Sequence, residues 1–395
     1  MKVLFLTASC PWPPNAGAAL RTSGWLRAAA ATASVGVVTL TRSAIEDEQG
    51  MRELTRVCDF ARAVPAPRTA LRRGRDLARA LVGRMPYAIA VAAERRLRRE
   101  SADAIASWAP DVVQAEGIGV APYLEIARAA GIPTVYSAHD LAWRIAAGAP
   151  GASTAAARMA SERMRRAEEG LARGARAVVA VSQIEAEWFR RVAGDVRCIP
   201  NAIDLDRYAF IAPGARGGGD VVFLGHLGYP PNVDAATRLV RCILPRIRSL
   251  LGGVRCVVAG RAPARAVRRL AGDGVSVLGD VESAAEIWRR AAALVCPLRW
   301  GGGSRLKLLE AAACGVPIAG TTFAAEGLSL RAGRDYLSGE SDEELALAAV
   351  CLLSDPARAG ALASSARATV AAEHDWRRWS GRIAELYEDL AGHHG

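Results

Sequence analysis

The sequence predicts an α/β protein made of two doubly wound, Rossmann-like domains, and three observations carry that expectation. An apolar run at residues 2–7, a helical pattern at 18–31 and a second apolar run at 35–41 read as the βαβ beginning of a parallel sheet. A second rhythm of the same kind opens at Val221-Val222-Phe223-Leu224-Gly225, after a glycine-rich linker at 212–220. The chain has 395 residues, 51% of them hydrophobic, which is too long for one ordinary core and suits two.

In the first half, residues 11–17 (PWPPNAG) form the loop between the first strand and helix. No G-x-G-x-x-G follows that strand, so a dinucleotide cofactor is not indicated. Residues 53–60 read as a helix, with a short strand inside 57–64. An arginine-rich helical segment interrupted by Pro86 comes next. Residues 111–117 then form a strand whose polar end includes Gln114 and Glu116, where open α/β sheets place ligands. A helix at 122–130 stops at Gly131. The strand at 134–140 ends in His139-Asp140. A lone histidine is more often structural than catalytic, but this strand-end position, followed by Trp143 and Arg144, favours a functional role. A charged helix at 163–173 leads into a strand at 177–182.

In the second half, a loop at 226–231 precedes Asn232, expected as an N-cap. Apolar strands follow at 254–259, 275–278 and 293–296. Gly225, His226, Gly260 and Arg261 fall at strand ends, as does the turn 279–281 with Val281. Closing helices are expected at 343–353 and 358–373, and a last one from Asp375-Trp376 onward.

The densest chemistry lies in residues 297–328, PLRWGGGSRLKLLEAAACGVPIAGTTFAAEGL. The strand at 293–296 runs into Gly301, Gly302 and Gly303, then Ser304 as an N-cap, then a helical pattern over 305–313 stopped by Gly315 and Pro317. A glycine loop opening into a helix lets backbone N–H groups approach an anion, and the helix dipole favours negative charge there. Arg305 and Lys307 put two cations in a first turn where an empty helix would prefer acids, so an anionic ligand is expected. Glu310 follows one turn deeper, where a carboxylate can accept hydrogen bonds from a diol such as ribose. A glycine-rich loop with a solvated charge pair is the plain alternative, and the ordered combination ending in Glu326-Gly327 argues against it.

This Arg-x-Lys-x-x-Glu and Ala-x-Gly-x-Pro pattern resembles the donor site of retaining glycosyltransferases of the GT-B fold, in particular bacterial family four (glycosyl transferases group 1). The resemblance is moderate at 134–144 and at 198–204, whose Ile-Pro-Asn-Ala-Ile-Asp element has Ala202 in place of glycine. It implies an N-terminal acceptor-side domain at 1–210, completed by a C-terminal helix at 376–395, and a donor-binding domain at 211–375. It further implies that Gly17 and Arg21 face the donor diphosphate and that His139 contacts the donor sugar. Arg305 and Lys307 would stabilise the leaving diphosphate. Gly225, His226, Arg261, Val281, Gly302, Gly303, Ser304, Glu310 and Glu326 would line the donor site, with Val281 near the nucleobase. Glu116 or Asp140 would orient the acceptor. One departure is clear: the family often has two glutamates eight residues apart, and the first position here is Gly302.

The implied reaction moves a sugar from a UDP- or GDP-linked donor to an acceptor hydroxyl with retention. No resident cofactor is implied, and no Asp-x-Asp metal motif is present. A nucleotide-sugar epimerase on the same fold, or a catalytically silent binding subunit, stays open as an alternative. The acceptor (a lipid-linked saccharide, a polysaccharide or a small molecule), the nucleobase and the oligomeric state are not specified. The net charge is +11, and residues 61–100 hold eleven arginines against three acids. Poor aromatic interleaving and the lack of a recognisable motif argue against nucleic acid. An anionic membrane surface or a phosphorylated lipid acceptor fits better, with a solvated helix face as the commonest explanation of such runs. Eight scattered cysteines without metal-ligand spacing, and no signal-peptide-like start, imply a cytoplasmic protein, peripheral at most on the inner membrane face.

Overall fold

In a computed structural model, the described residues are 1–14, 16–148, 153–216, 219–279, 281, 284–302 and 305–392. The described residues divide into two compact units, 1–200 with Gly302 and 379–392, and 201–301 with 305–378. The first boundary thus falls at Pro200, ten residues before the expected 210.

The first unit is built from β1 (Lys2–Thr7), α1 (Gly17–Ala30), β2 (Ser34–Thr41), β3 (Phe60–Pro65), α2 (Ala70–Val82), α3 (Tyr87–Ala92), α4 (Arg95–Trp108), β4 (Val112–Glu116), β5 (Thr134–Ser137), α5 (Ala155–Gly174), β6 (Ala177–Ala180) and β7 (Val196–Cys198). The seven strands pair in the order β3-β2-β1-β4-β5-β6-β7, all parallel. A parallel sheet covered on both faces needs continuous apolar strands, which explains why Val3, Leu4, Phe5 and Leu6 are all fully buried. Each such side chain contributes roughly 1.5–3 kcal/mol of burial. β5 stops at Ser137, so His139 and Asp140 sit in the loop beyond it rather than on the strand. α5 is longer than the expected 163–173, because Thr154 accepts the Ala157 N–H and starts the helix at Ala155.

The second unit repeats the plan with β8 (Asp220–Leu224), α6 (Pro230–Arg238), β9 (Cys256–Gly260), β10 (Val275–Gly279), β11 (Ala291–Cys296), α7 (Leu306–Ala313), β12 (Ile318–Gly320), β13 (Leu337–Ser338), α8 (Asp342–Ser354) and α9 (Pro356–Glu373). Its sheet order is β10-β9-β8-β11-β12-β13, again parallel. Both sheets reverse their winding beside their first strand, between β1 and β4 and between β8 and β11. Open α/β sheets bind ligands outside the carboxyl ends of such strands. The fold is the expected GT-B arrangement of two Rossmann-like sheets.

Two helix starts differ in detail. Asn232 is not an N-cap: Pro230 and Pro231 occupy the first helical positions and Tyr229 is the cap. Proline at the first position is the signal that locates this start. α7 begins at Leu306, with Arg305 in the capping position rather than in the first turn. Ser304, expected as that cap, lies outside the described residues with Gly303, as do Gly217 and Gly218 of the linker.

The last helix, α10 (Trp376–Gly392), has its body from Trp379 onward in the first unit. There the Tyr387 hydroxyl accepts from Trp25 Nε1 at 2.7 Å and donates to Gln114 Oε1 at 2.8 Å. Among the described residues no single helix is long and apolar enough to cross a membrane.

Candidate active site

In the first unit, Glu116 is the final residue of β4, at the switch point, and is 3% exposed. His139 Nε2 lies 2.7 Å from Glu116 Oε2, and Thr22 Oγ1 donates to the same oxygen at 3.3 Å. Gln114 Nε2 donates to Oε1 at 2.5 Å. Burial alone would push the Glu116 carboxyl up. The hydrogen bond and charge of His139, with Arg21 and Gln114, outweigh it and hold the group below the usual carboxylate range. An ionised carboxylate only accepts, so Nε2 carries a proton and Nδ1 is left to accept one or to meet a ligand. Glu116, expected on the acceptor side, is thereby committed to orienting His139.

Asp140 follows in the same loop, half-buried. Beneath it lies Glu168 of α5, fully buried, accepting from the Tyr136 hydroxyl at 3.1 Å and from the Ala142 N–H at 3.4 Å. Burial, then the Asp140 charge, push the Glu168 carboxyl up to about 8. Sequence reading missed this residue, since a helical Glu168-Glu169 pair looks like a solvated face.

Arg21 does not behave as expected. It is 1% exposed, stacks on Trp25 at 4.9 Å and directs both terminal nitrogens to the Ile199 carbonyl at 3.3 Å. Its guanidinium braces the interior of the first unit instead of facing a diphosphate. Gly17 is the first residue of α1 and half-buried.

In the second unit, Lys307 is drawn back from α7 to the carboxyl end of β8. Its Nζ donates to Asn232 Oδ1 at 2.8 Å and sits 4.3 Å from the Phe223 ring centroid. A Cβ added at Gly225 would come within 2.9 Å of that Nζ and 3.0 Å of Asn232 Nδ2, so any larger residue would shift the ammonium. Gly260, with φ +143°, crosses so close to Gly225 that a Cβ would lie 1.7 Å from the Gly225 carbonyl oxygen. These two glycines let strand ends and ammonium converge. Burial pushes the Lys307 ammonium down, with Cys296 and Glu310 acting against it. Asn232 Nδ2 in turn donates to the His226 carbonyl at 3.0 Å, fixing the amide so that its oxygen faces the lysine.

Arg305 packs over Phe323, 4.5 Å from the ring centroid, and its NH2 lies 3.9 Å from Glu326. Glu310 is 4% exposed and accepts from the Tyr208 hydroxyl at 2.7 Å. Burial pushes its carboxyl up, against the pull of Tyr208, Arg207 and Lys307. His226 is exposed, Arg261 and Val281 are half-buried, and all three follow strands of this sheet. Gly301, at φ +127°, continues the loop after β11 and ends this segment of the second unit, while Gly302 belongs to the first. The structure therefore gathers Gly225, Lys307 and Asn232 at one point, with Arg305 and Glu326 as a neighbouring pair. Tyr208, Phe223 and Phe323 were not singled out in the sequence, and Asn232 was expected only as an N-cap. The aromatic residues there carry no motif, and their roles depend on contacts distant along the chain.

Family models match both halves: Glycosyltransferase Family 4 over residues 27–207 and Glycosyl transferases group 1 over residues 218–355. The chain is a GT-B glycosyltransferase. It is 28% identical over 299 residues to a glycogen synthase of Mycobacterium tuberculosis, covering 71% of this chain and 69% of that one. Among solved structures it is similar to sucrose-phosphate synthase from Thermosynechococcus elongatus, with a TM-score of 0.74, 17% identity and full coverage of both chains. It is also similar to Anabaena HepE in complex with UDP and glucose, with a TM-score of 0.68 and 15% identity over 98% of this chain and 100% of that one. At these identities the structural likeness speaks to the fold.

Proposed function

We propose that this glycosyltransferase moves a sugar, with retention and without a metal, from a UDP- or GDP-linked donor to the hydroxyl of a cell-envelope, glycolipid or natural-product acceptor. The observation that carries the donor assignment is Lys307. It is a largely buried ammonium at the switch point of the second sheet, with a neutral amide as its hydrogen-bond partner. Such a group is costly until an anion joins it. A diphosphate beside Lys307, Arg305 and the start of α7 would supply that anion, and the cations would stabilise the charge that develops as the sugar leaves. The UDP held by HepE supports a nucleoside diphosphate as the ligand class. Glu310, held by Tyr208, suits the ribose, and His139, with its proton on Nε2, is assigned to the donor sugar. In the retaining route the leaving phosphate itself takes the acceptor proton, so no separate base is required.

The work is assigned to the cytoplasmic face of an anionic membrane. α2 supports this through an inverted surface: Leu71, Leu77, Leu81 and Val82 are 52–87% exposed, while Asp76 on the opposite side is buried. Apolar residues flanked by arginines are the composition of an interfacial helix.

The test is incubation of the purified protein with a panel of nucleotide sugars, with and without envelope extract. Acceptor-dependent release of nucleotide is the expected result. Conversion of donor without acceptor, or no turnover with any donor, would overturn the proposal in favour of an epimerase or a silent subunit.

A further inference from the structure

Away from the donor residues, the first unit holds a pocket of about 180 Å³ lined by Arg42, Arg68, Arg72, Arg73, Asp76, Tyr87 and Val91. Four guanidinium groups around one small volume require an explanation. Arg42 follows β2 and is anchored by its NH1 to the Ala66 carbonyl at 3.1 Å and by its NH2 to the Ala8 carbonyl at 3.2 Å. Arg72 lies 2.5 Å from Glu94 and is pinned at the base of α2. Asp76 is 3.8–3.9 Å from Arg72, Arg75 and Arg79, so the acids present are shared among the helix's own arginines. The side chains of Arg68 and Arg73 make no hydrogen bond or ion pair among the described residues and border the pocket exposed. Burial, followed by the like charges of Arg68 and Arg72, lowers Arg42 to about 10. The pocket therefore concentrates positive charge faster than its acids relieve it.

Its location gives the charge a use. Arg42 touches Ala8, one residue beyond Thr7, and Thr7 is paired in register with Glu116. With neighbouring strands about 4.8 Å apart, the strand end that carries Arg42 lies on the order of 10 Å from the one that carries Glu116, at the carboxyl ends of the same sheet. That is about the length of two sugar residues.

We propose that the pocket formed by Arg42, Arg68, Arg72, Arg73 and Tyr87 binds the phosphoryl or diphosphoryl group of the acceptor, holding its hydroxyl within reach of His139. Arginine suits this ligand through bidentate hydrogen bonds to phosphate oxygens, with Tyr87 able to donate a further one. The pocket's anion binding stands independently. Its assignment to an acceptor rests on the glycosyltransferase reading above.

The test uses the full chain and the double variant Arg68→Ala/Arg73→Ala, whose side chains make no hydrogen bond or ion pair among the described residues. Inorganic pyrophosphate is titrated calorimetrically with saturating UDP or GDP present. If neither nucleotide binds, Lys307→Met replaces the wild type as background, so failure of the donor reading does not obscure the result. The expected outcome is a loss of pyrophosphate affinity of roughly tenfold to hundredfold in the double variant, with nucleotide affinity unchanged. Equal pyrophosphate affinity in both proteins overturns the site. Vesicle flotation then separates the sources. A preference for phosphatidic acid over phosphatidylglycerol that the double variant loses supports a lipid-borne phosphate. Pyrophosphate binding without such a preference supports a soluble phosphorylated acceptor.

Discussion

Replacing Lys307 with methionine tests the donor site at its centre. Methionine keeps the unbranched stem against Phe223 and removes only the ammonium, so packing is largely conserved. In the free protein that ammonium is desolvated, and among the described residues the Asn232 carbonyl oxygen accepts its hydrogen bond while Glu310 offsets part of the cost. Its folded-state pKa is lowered, so the unfolded chain binds the proton more tightly, and this residue destabilises the fold until the pH rises toward its unfolded value near 10.4. Lys307→Met should therefore melt no lower than wild type in the absence of ligand. The same change removes a charge-assisted hydrogen bond to a diphosphate, worth about 1.5–3 kcal/mol, or roughly 10- to 150-fold in affinity. Bare nucleoside makes no such contact and should bind within about twofold of wild type. Calorimetry with UDP and uridine, and with GDP and guanosine, reads both quantities from the same preparations. Equal losses for nucleotide and nucleoside, or an unchanged diphosphate affinity, would mean that this ammonium does not hold phosphate.

Three further outcomes are expected. His139→Ala should lower turnover by about 100-fold or more while leaving nucleotide affinity near wild type, as steady-state rates and calorimetry would show; unaltered turnover at saturating donor would make the Glu116–His139 pair purely structural. Glu168 has a folded-state value raised to about 8, so the fold binds a proton that the unfolded chain has released. Wild-type stability should thus fall as pH rises from about 4.5 to 8, and Glu168→Gln should flatten that slope and raise stability at pH 9 in guanidinium titrations, on the order of 1–3 kcal/mol. Liposomes of anionic lipid should float the protein at low salt and release it at high salt, and Leu71→Ser/Val82→Ser should weaken the low-salt binding; indifference to salt or to both serines would remove the membrane from the account.

Strand ends were legible because parallel sheets impose their own code: an apolar run buried on both faces, then polar residues where the chain leaves the sheet. Glu116, His139 and Gly225 all announce themselves in that way. The pairing of Glu116 with His139 was not legible, because it depends on β4 and β5 being adjacent and in register, with Gln114 and Thr22 completing the carboxylate's shell. Arg21 shows the opposite failure. An arginine in the first turns of a helix beside a proline-rich loop looks exposed, and only the return of the chain to Ile199 supplies the carbonyl that allows its burial.

The arginine-rich segment is the most instructive case, because composition pointed to a charged outer surface and the fold turned part of that charge inward. Periodicity places Arg72, Asp76 and Arg79 on one side of α2, which by itself reads as the solvated face of an amphipathic helix. Glu94, just before α4, changes the balance by coming within 2.5–3.7 Å of Arg72, Arg75 and Arg79. With those charges paired, burying the polar side no longer leaves bare ions in the interior, and Leu71, Leu81 and Val82 are left facing outward. A helix inverted in this way loses hydrophobic burial unless something apolar covers it. The same inversion places Arg72 beneath Arg68 and Arg73, next to Arg42, and so builds the cationic pocket. One acid at position 94 thus links the exposed apolar surface to the anion pocket. Glu94→Gln should therefore disturb vesicle binding and pyrophosphate binding together, whereas Arg68→Ala/Arg73→Ala should weaken pyrophosphate binding by roughly that tenfold to hundredfold and leave binding to phosphatidylglycerol vesicles largely in place.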